Sequence, residues 1–186
     1  MHISDSIDIK MPRQIVFTAL TDVEILRASI PGCESLEALD EAKYSAIILS
    51  KIGPLKLRFK GQAELLNIVE PESYTIKGEG SGGPAGRAKV TAHVTLLENN
   101  NSTTLTYDVN AEIGGKLAQL GGSLIKNTAM KLATQFFQTF TESLSNSVGK
   151  LPPVDVANTS ACMSISRKLV IAGTLLGGAI ALLAIL

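Results

Sequence analysis

Residues 116–145, KLAQLGGSLIKNTAMKLATQFFQTFTESLS, decide the fold. Leu117, Leu120, Leu124, Ile125, Leu132, Phe136, Phe137, Phe140 and Leu144 recur at three- and four-residue intervals, the period of one apolar helix face. The pattern predicts one long helix that begins after Gly114–Gly115. Such a helix needs a broad apolar partner, and the chain upstream supplies it. From about 35 to 113 the pattern is strand and turn. Strands are expected at 44–50, at 55–60 after the Gly53–Pro54 turn, and at 63–69, 73–79, 86–98 and 103–112. The Asn99–Asn100–Asn101 run turns the chain between the last two. Further out, Ile3, Ile7 and Ile9 alternate with polar residues as a half-buried strand does. Pro12 then opens a short helix to Leu20, and a second runs over 22–28 until Ile30–Pro31–Gly32 breaks it. Short turns between consecutive strands imply antiparallel pairing with the helices gathered on one face. The expected class is therefore α+β, a curved antiparallel sheet of about seven strands gripping one long helix.

Beyond the helix, residues 169–186, LVIAGTLLGGAIALLAIL, carry no charge. As a helix they would cover roughly 27 Å, close to the ~30 Å hydrocarbon core of a bilayer. Arg167 and Lys168 precede the run, where a basic pair holds the preceding chain in the cytoplasm. Residues 1–10, MHISDSIDIK, lack the basic start and apolar stretch of a signal peptide. The expected organisation is a domain at 1–147, a flexible Pro- and Gly-containing linker at 148–166 and a single-pass anchor at 167–186. Leu169, Leu175, Gly177, Leu182 and Leu186 belong to that anchor, and Gly173 and Gly177 have helix-dimer spacing. The expected location is the cytoplasmic membrane, with the domain facing the cytoplasm. Seventeen basic and seventeen acidic residues balance, which gives no sign of a nucleic-acid partner. Cys33 and Cys162 lie far apart, as in a reducing compartment rather than a disulfide framework.

Candidate chemistry is sparse. His2 and His93 have no second histidine or cysteine at metal-ligand spacing, so no metal is expected. Cys33 follows a Pro-Gly turn without a neighbouring histidine and reads as a structural thiol. The run 78–86, GEGSGGPAG, lacks a Gly-Lys-Ser/Thr ending and a following helix, so it reads as a hairpin or cavity-mouth loop rather than a phosphate loop. Lys51, Lys56, Arg58 and Lys60 form a cationic strand face, either simply solvated or able to meet anionic headgroups or an acidic partner. Acid–base chemistry would need a carboxylate or histidine turned inward. Glu64 and Glu112, within strand patterns, are the candidates.

Several separated motifs now agree in order. Ile30–Pro31–Gly32–Cys33–Glu34, Gly53–Pro54, Phe59–Lys60–Gly61, the run 80–88 (GSGGPAGRA), the run 114–121 (GGKLAQLG) and Phe136–Phe137 resemble the CoxG family of carbon monoxide dehydrogenase subunits. The resemblance covers residues 1 to about 145 and implies the helix-grip fold of lipid-transfer and polyketide-cyclase-like domains. It implies an apolar cavity between sheet and helix, lined by Ile30, Phe59, Leu117, Leu120, Leu124, Phe136, Phe137 and Phe140. Gly53, Pro54, Gly82, Gly83 and Pro84 would form loops at its mouth. The implied role is non-enzymatic, with no catalytic residue and no covalent cofactor. It is to recruit a molybdenum hydroxylase of the carbon monoxide dehydrogenase type to the membrane and bind a lipid-like ligand, an isoprenoid quinone, for electron delivery. Two alternatives stay open: a cyclase- or hydrolase-like enzyme using the same cavity, and a ligand-free membrane scaffold. An apolar cavity wall and an apolar core share one sequence signature, so sequence does not separate them.

Overall fold

The computed structural model describes residues 1–148. Seven strands, β1 (His2–Ile9), β2 (Cys33–Ala38), β3 (Lys43–Ile52), β4 (Leu55–Val69), β5 (Ser73–Ser81), β6 (Arg87–Asn99) and β7 (Ser102–Gly114), form one sheet. Their order is β1-β7-β6-β5-β4-β3-β2, and every neighbouring pair is antiparallel. The helices are α1 (Arg13–Ala19), α2 (Val23–Ser29) and α3 (Gly122–Val148). Pro12 stands at the N-cap of α1, where its missing N–H is no loss. The Asp22 carboxylate caps α2 by accepting from the backbone N–H groups of Glu24 and Ile25.

The expected strand count is met, by a different partition. The stretches read as two strands at 55–60 and 63–69 are one continuous strand, β4. Gly61 and Gln62 between them stay in the ladder, opposite Ala46 and Ser45 of β3. The missing strand is β2, whose burial alternates weakly because it lies at the sheet edge.

The long helix also starts later than its apolar pattern predicts. Gly115–Leu120 is a 3-10 turn, and Gly121 follows at φ +91°, a value few side chains tolerate inside a helix. Leu117 and Leu120 therefore sit on this turn and not on α3. At its other end α3 runs to Val148, one residue into the stretch read as linker. The rest of the linker and the anchor residues Leu169, Leu175, Gly177, Leu182 and Leu186 lie outside the described residues. Among the described residues no helix is long and apolar enough to cross a membrane.

Side chains alternate across the sheet. Tyr44, Ala46, Ile48, Phe59, Ala63, Leu65, Tyr74, Ile76, Val90, Ala92, Tyr107 and Val109 are buried on the inner face. Helices α1 and α3 pack there: Phe17 meets Tyr74 edge-on at 5.9 Å and Phe137 stacks on Tyr107 at 5.7 Å. The outer face carries Lys43, Glu64, Lys77, Glu79, Lys89 and Glu112 in neighbouring register positions.

Candidate functional site

The space between α3 and the inner face is the candidate site, and the residues along it differ from one end to the other. At one end of the sheet the chain turns through Gly53–Pro54, through the 3-10 turn Gly83–Ala85, and into Gly115–Leu120. We call this the loop end. At the other, the hairpin end, β2–β3, β4–β5 and β6–β7 are joined.

Near the loop end one row across the inner face reads Ala46, Gly61, Gly80, Ala88. The next row reads Tyr44, Ala63, Gly78, Val90, Ala111. Glycine inside a strand weakens it and commonly marks a close approach of a ligand or another backbone. Here three strand glycines and four alanines adjoin, flanked in the same rows by the bulkier Tyr44, Val90 and Ile113. The buried α3 residues Ala129 and Ala133 are small as well. Toward the hairpin end the row Tyr74, Val94, Tyr107 brings the bulk back. There Phe136 meets Phe137 at 5.0 Å and Phe140 at 5.6 Å.

The residues expected to line a cavity divide between these regions. Phe136, Phe137 and Phe140 form the aromatic cluster, and Ile30 at the C-cap of α2 is buried. Phe59 is fully buried beside the loop end, where a Cβ on Gly82 would lie 3.1 Å from its ring. Leu117 is buried and Leu120 half-buried on the 3-10 turn. Leu124 is 37% exposed and packs against Gly53. It stands sixteen residues before Phe140 on α3, about 24 Å at the helical rise, so the two belong to opposite ends of any ligand site. Gly53–Pro54 and Gly82–Gly83–Pro84 lie at the same end of the sheet, the loop end, with Pro54, Gly83 and Pro84 exposed. Gly86 ties this end down: at φ +130° it lies so close to β7 that a Cβ would meet the Gly114 carbonyl oxygen at 2.1 Å.

The small inner-face residues are the feature that sequence reasoning missed. Their signal was present, since Gly78 and Gly80 alternate with Glu79 and Ser81 in strand period. It was absorbed into the reading of 78–86 as one loop.

Polar groups inside are few. Glu64 lies on the outer face and pairs with Lys43 at 3.7 Å, and Glu112 is exposed opposite Lys89. His93 is exposed and hydrogen-bonds the Thr75 hydroxyl at 2.8 Å. Among the described residues the buried titratable groups on the inner face are the tyrosines 44, 74 and 107; Asp5 of β1 stands opposite Tyr107 in register but is exposed. Burial, with Asp40 nearby, pushes Tyr44 up to about 12. Burial, with Asp5 nearby, does the same to Tyr107. Tyr74 is raised by burial and by the neighbouring Tyr44. All three stay neutral hydrogen-bond donors, and the hydroxyls of Tyr44 and Tyr74 have no partner among the described residues. Burial raises the Cys33 thiol against the opposing pull of Arg27, which keeps it protonated and unreactive. No group of histidines, cysteines and carboxylates that could hold a metal occurs among the described residues.

The same fold recurs in known proteins. The family model for CoxG, a component of carbon monoxide dehydrogenase, matches residues 6–145. The crystal structure of a conserved protein from Geobacillus kaustophilus has a TM-score of 0.75 at 32% identity, covering 79% of this chain and 97% of that one. Zhui aromatase/cyclase from a Streptomyces species has a TM-score of 0.57 at 12% identity, over 80% of this chain and 95% of its own. The protein Ara h 8.0201 has a TM-score of 0.58 at 14% identity, over 78% and 98%. These last two likenesses show the fold alone. A search among curated proteins returns no match. Seven antiparallel strands around a long C-terminal helix, matched along nearly the whole described domain, place this chain in the CoxG family of carbon monoxide dehydrogenase subunits.

Proposed function

We propose that this protein is a non-enzymatic accessory subunit of a carbon monoxide dehydrogenase-type molybdenum hydroxylase. It brings that enzyme to the cytoplasmic membrane through an anchor at 167–186 and holds an apolar ligand of the isoprenoid quinone class between sheet and α3. The observation that carries the ligand reading is the pair of glycine- and alanine-lined rows on the inner face, where a chain of methylenes can lie against backbone. Each buried methylene contributes about 0.8 kcal/mol, so burial of even part of a tail gives useful affinity.

Tyr44 and Tyr74 fit the polar head. Each is a buried donor without a partner among the described residues, and an unsatisfied buried hydroxyl costs roughly 1–3 kcal/mol, relieved when a ligand carbonyl accepts from it. Quinone reduction would take its electrons from the docked hydroxylase. This chain supplies binding and shielding rather than chemistry, since Glu64, Glu112 and His93 all face outward. The same outward placement disfavours the cyclase- or hydrolase-like alternative.

The test is to purify the full chain in mild detergent, extract small molecules and analyse them by mass spectrometry. A near-stoichiometric isoprenoid quinone is expected. A protein that comes out empty and ignores added quinone refutes the carrier role and leaves recruitment alone.

A further inference from the structure

The two ends of the sheet carry opposite charge, although the chain as a whole is neutral. At the loop end Lys51 and Lys56 face each other across the Gly53–Pro54 turn. Lys60 and Arg87 flank Ser81 on the outer face, Lys116 sits on the 3-10 turn, and Lys126 lies in the second turn of α3. All six are exposed, and none has an ion-pair partner among the described residues. Arg58 is the cation here that is neutralised, by Glu34. Further along the outer face Lys89 stands between Glu79 and Glu112, and there the sign begins to change.

The hairpin end is acidic. Asp8 lies near the end of β1, Asp40 and Glu41 in the β2–β3 turn, Glu70 and Glu72 in the β4–β5 turn, and Glu98 at the β6–β7 turn. Cations at this end are mostly spoken for: Arg13 pairs with Glu72 at 3.3 Å and Glu98 at 3.8 Å, and Lys43 with Asp40 at 3.9 Å and Glu64 at 3.7 Å.

The basic end also has an apolar tip. Pro54 is exposed, Leu55 is half-buried, and Leu124 is 37% exposed against Gly53. An apolar tip inside a collar of unpaired lysines is the chemistry of a surface that enters the headgroup layer of an anionic bilayer. An acidic protein would be matched by the cations but would have no use for the exposed leucine and proline.

We infer that the loop end is a second, electrostatic membrane contact. It turns the Gly53–Pro54 and Gly82–Gly83–Pro84 loops toward an anionic lipid surface and leaves the acidic end toward the cytoplasm. The inference rests on the membrane part of the proposed function but not on the ligand. The tether allows it. Helix α3 starts at the loop end and runs about 40 Å away from it, so the chain leaves the domain at the acidic end. Residues 149–166 span up to about 60 Å when extended, enough to return to the bilayer that the loop end touches.

The test uses residues 1–148, which contain the whole sheet and its helices; the Geobacillus relative, 97% matched, is that domain alone. It is mixed with phosphatidylcholine vesicles, with or without one-third phosphatidylglycerol, and sedimented at low and high salt. Binding is expected to the anionic vesicles alone and to fade at high salt, where the screening length shrinks from about 10 Å at 0.1 M to about 3 Å at 1 M. Each lysine or arginine near such a surface is worth about fivefold, so Lys56→Glu, Lys60→Glu and Arg87→Glu together should weaken binding by at least about 100-fold. The matched reversal Glu41→Lys, Glu70→Lys and Glu72→Lys should not weaken it. Absence of binding to anionic vesicles, or equal losses from both reversals, overturns the inference. So does retention on a polyglutamate column without vesicle binding, which would assign the basic end to an acidic protein. Quinone content of the full chain is read separately, so either idea can fail without the other.

Discussion

The two halves of the inner face are built from the same alternating strands, yet they do opposite things. Toward the hairpin end Tyr74, Tyr107, Phe17, Phe136, Phe137 and Phe140 pack ring against ring. Toward the loop end Ala46, Gly61, Gly80 and Ala88 present hardly any side chain. One half buries large rings; the other buries little more than methyl groups and backbone, and is covered just as fully. On the proposed function, the difference separates the residues that keep the domain folded from those against which a ligand would lie. Phe136, Phe137 and Phe140, expected on a cavity wall, belong to the half that packs ring against ring.

The most severe break of this contrast is removal of an aromatic anchor. Phe140 is fully buried and stacked on Phe136. Phe140→Ala should cost about 3–5 kcal/mol, as large-to-small changes of this kind do, read as a lower urea midpoint at unchanged slope. The converse change fills the other half. Gly61→Val adds a branched side chain on the inner face of a central strand, where valine suits the pleat, so its overpacking cost of about 1–3 kcal/mol is partly offset. Co-purified quinone should nevertheless fall several-fold or more. If Gly61→Val keeps its ligand while Phe140→Ala, still folded, loses it, the two halves have been assigned the wrong way round.

Titration probes both halves, since Tyr44 lies among the small residues and Tyr74 and Tyr107 among the rings. Tyr44 and Tyr107 are pushed up to about 12 by burial, and Tyr74 is raised too. The unfolded chain releases these protons near pH 10 while the folded one retains them. Stability from the three groups is therefore fully present below pH 10 and is lost as the pH rises from about 10 to about 12. A melting temperature flat from pH 7 to 9 and falling steeply above 10 is the expected result. Tyr74→Phe should flatten that alkaline slope without changing the neutral melting temperature by more than a few degrees. An unchanged slope would mean that Tyr74 is not the buried donor described here. In the ligand assay, Tyr44→Phe and Tyr74→Phe should each weaken quinone binding by roughly three- to tenfold, the worth of one hydrogen bond.

Much of this architecture was legible in the sequence for a physical reason: a period of two or of three to four residues records which face is buried. The alternation in β1, β3, β6 and β7 and the apolar stripe of α3 gave the elements and their order. What period cannot record is continuity through small residues. Gly61 carries no hydropathy signal, so β4 read as two strands although its ladder is unbroken from Lys60 to Gln62. Nor can period see backbone torsion, and the apolar repeat ran through Gly121 although φ +91° there ends any helix. The candidate site was hidden for the same reason. The glycine and alanine rows are marked by missing side chains, and hydrophobic patterning counts those that are present.

The smallest expected effect is at the tip, and it is informative because it is small. Leu124 has the helical spacing of a core residue, and the family resemblance put it in the cavity wall. Its 37% exposure against Gly53 gives it little burial to lose. Leu124→Ala should therefore cost no more than about 1 kcal/mol of stability, well short of the 2–5 kcal/mol expected of a buried leucine. Leu124→Asp should be tolerated by the fold almost as well. The same aspartate places a negative charge amid Lys51, Lys56 and Lys126 and removes the apolar tip, so its cost should appear in sedimentation with anionic vesicles. A large loss of stability from Leu124→Ala would return this residue to the core. A loss of vesicle binding from Leu124→Asp with the urea midpoint unmoved would separate what the tip touches from what the core holds.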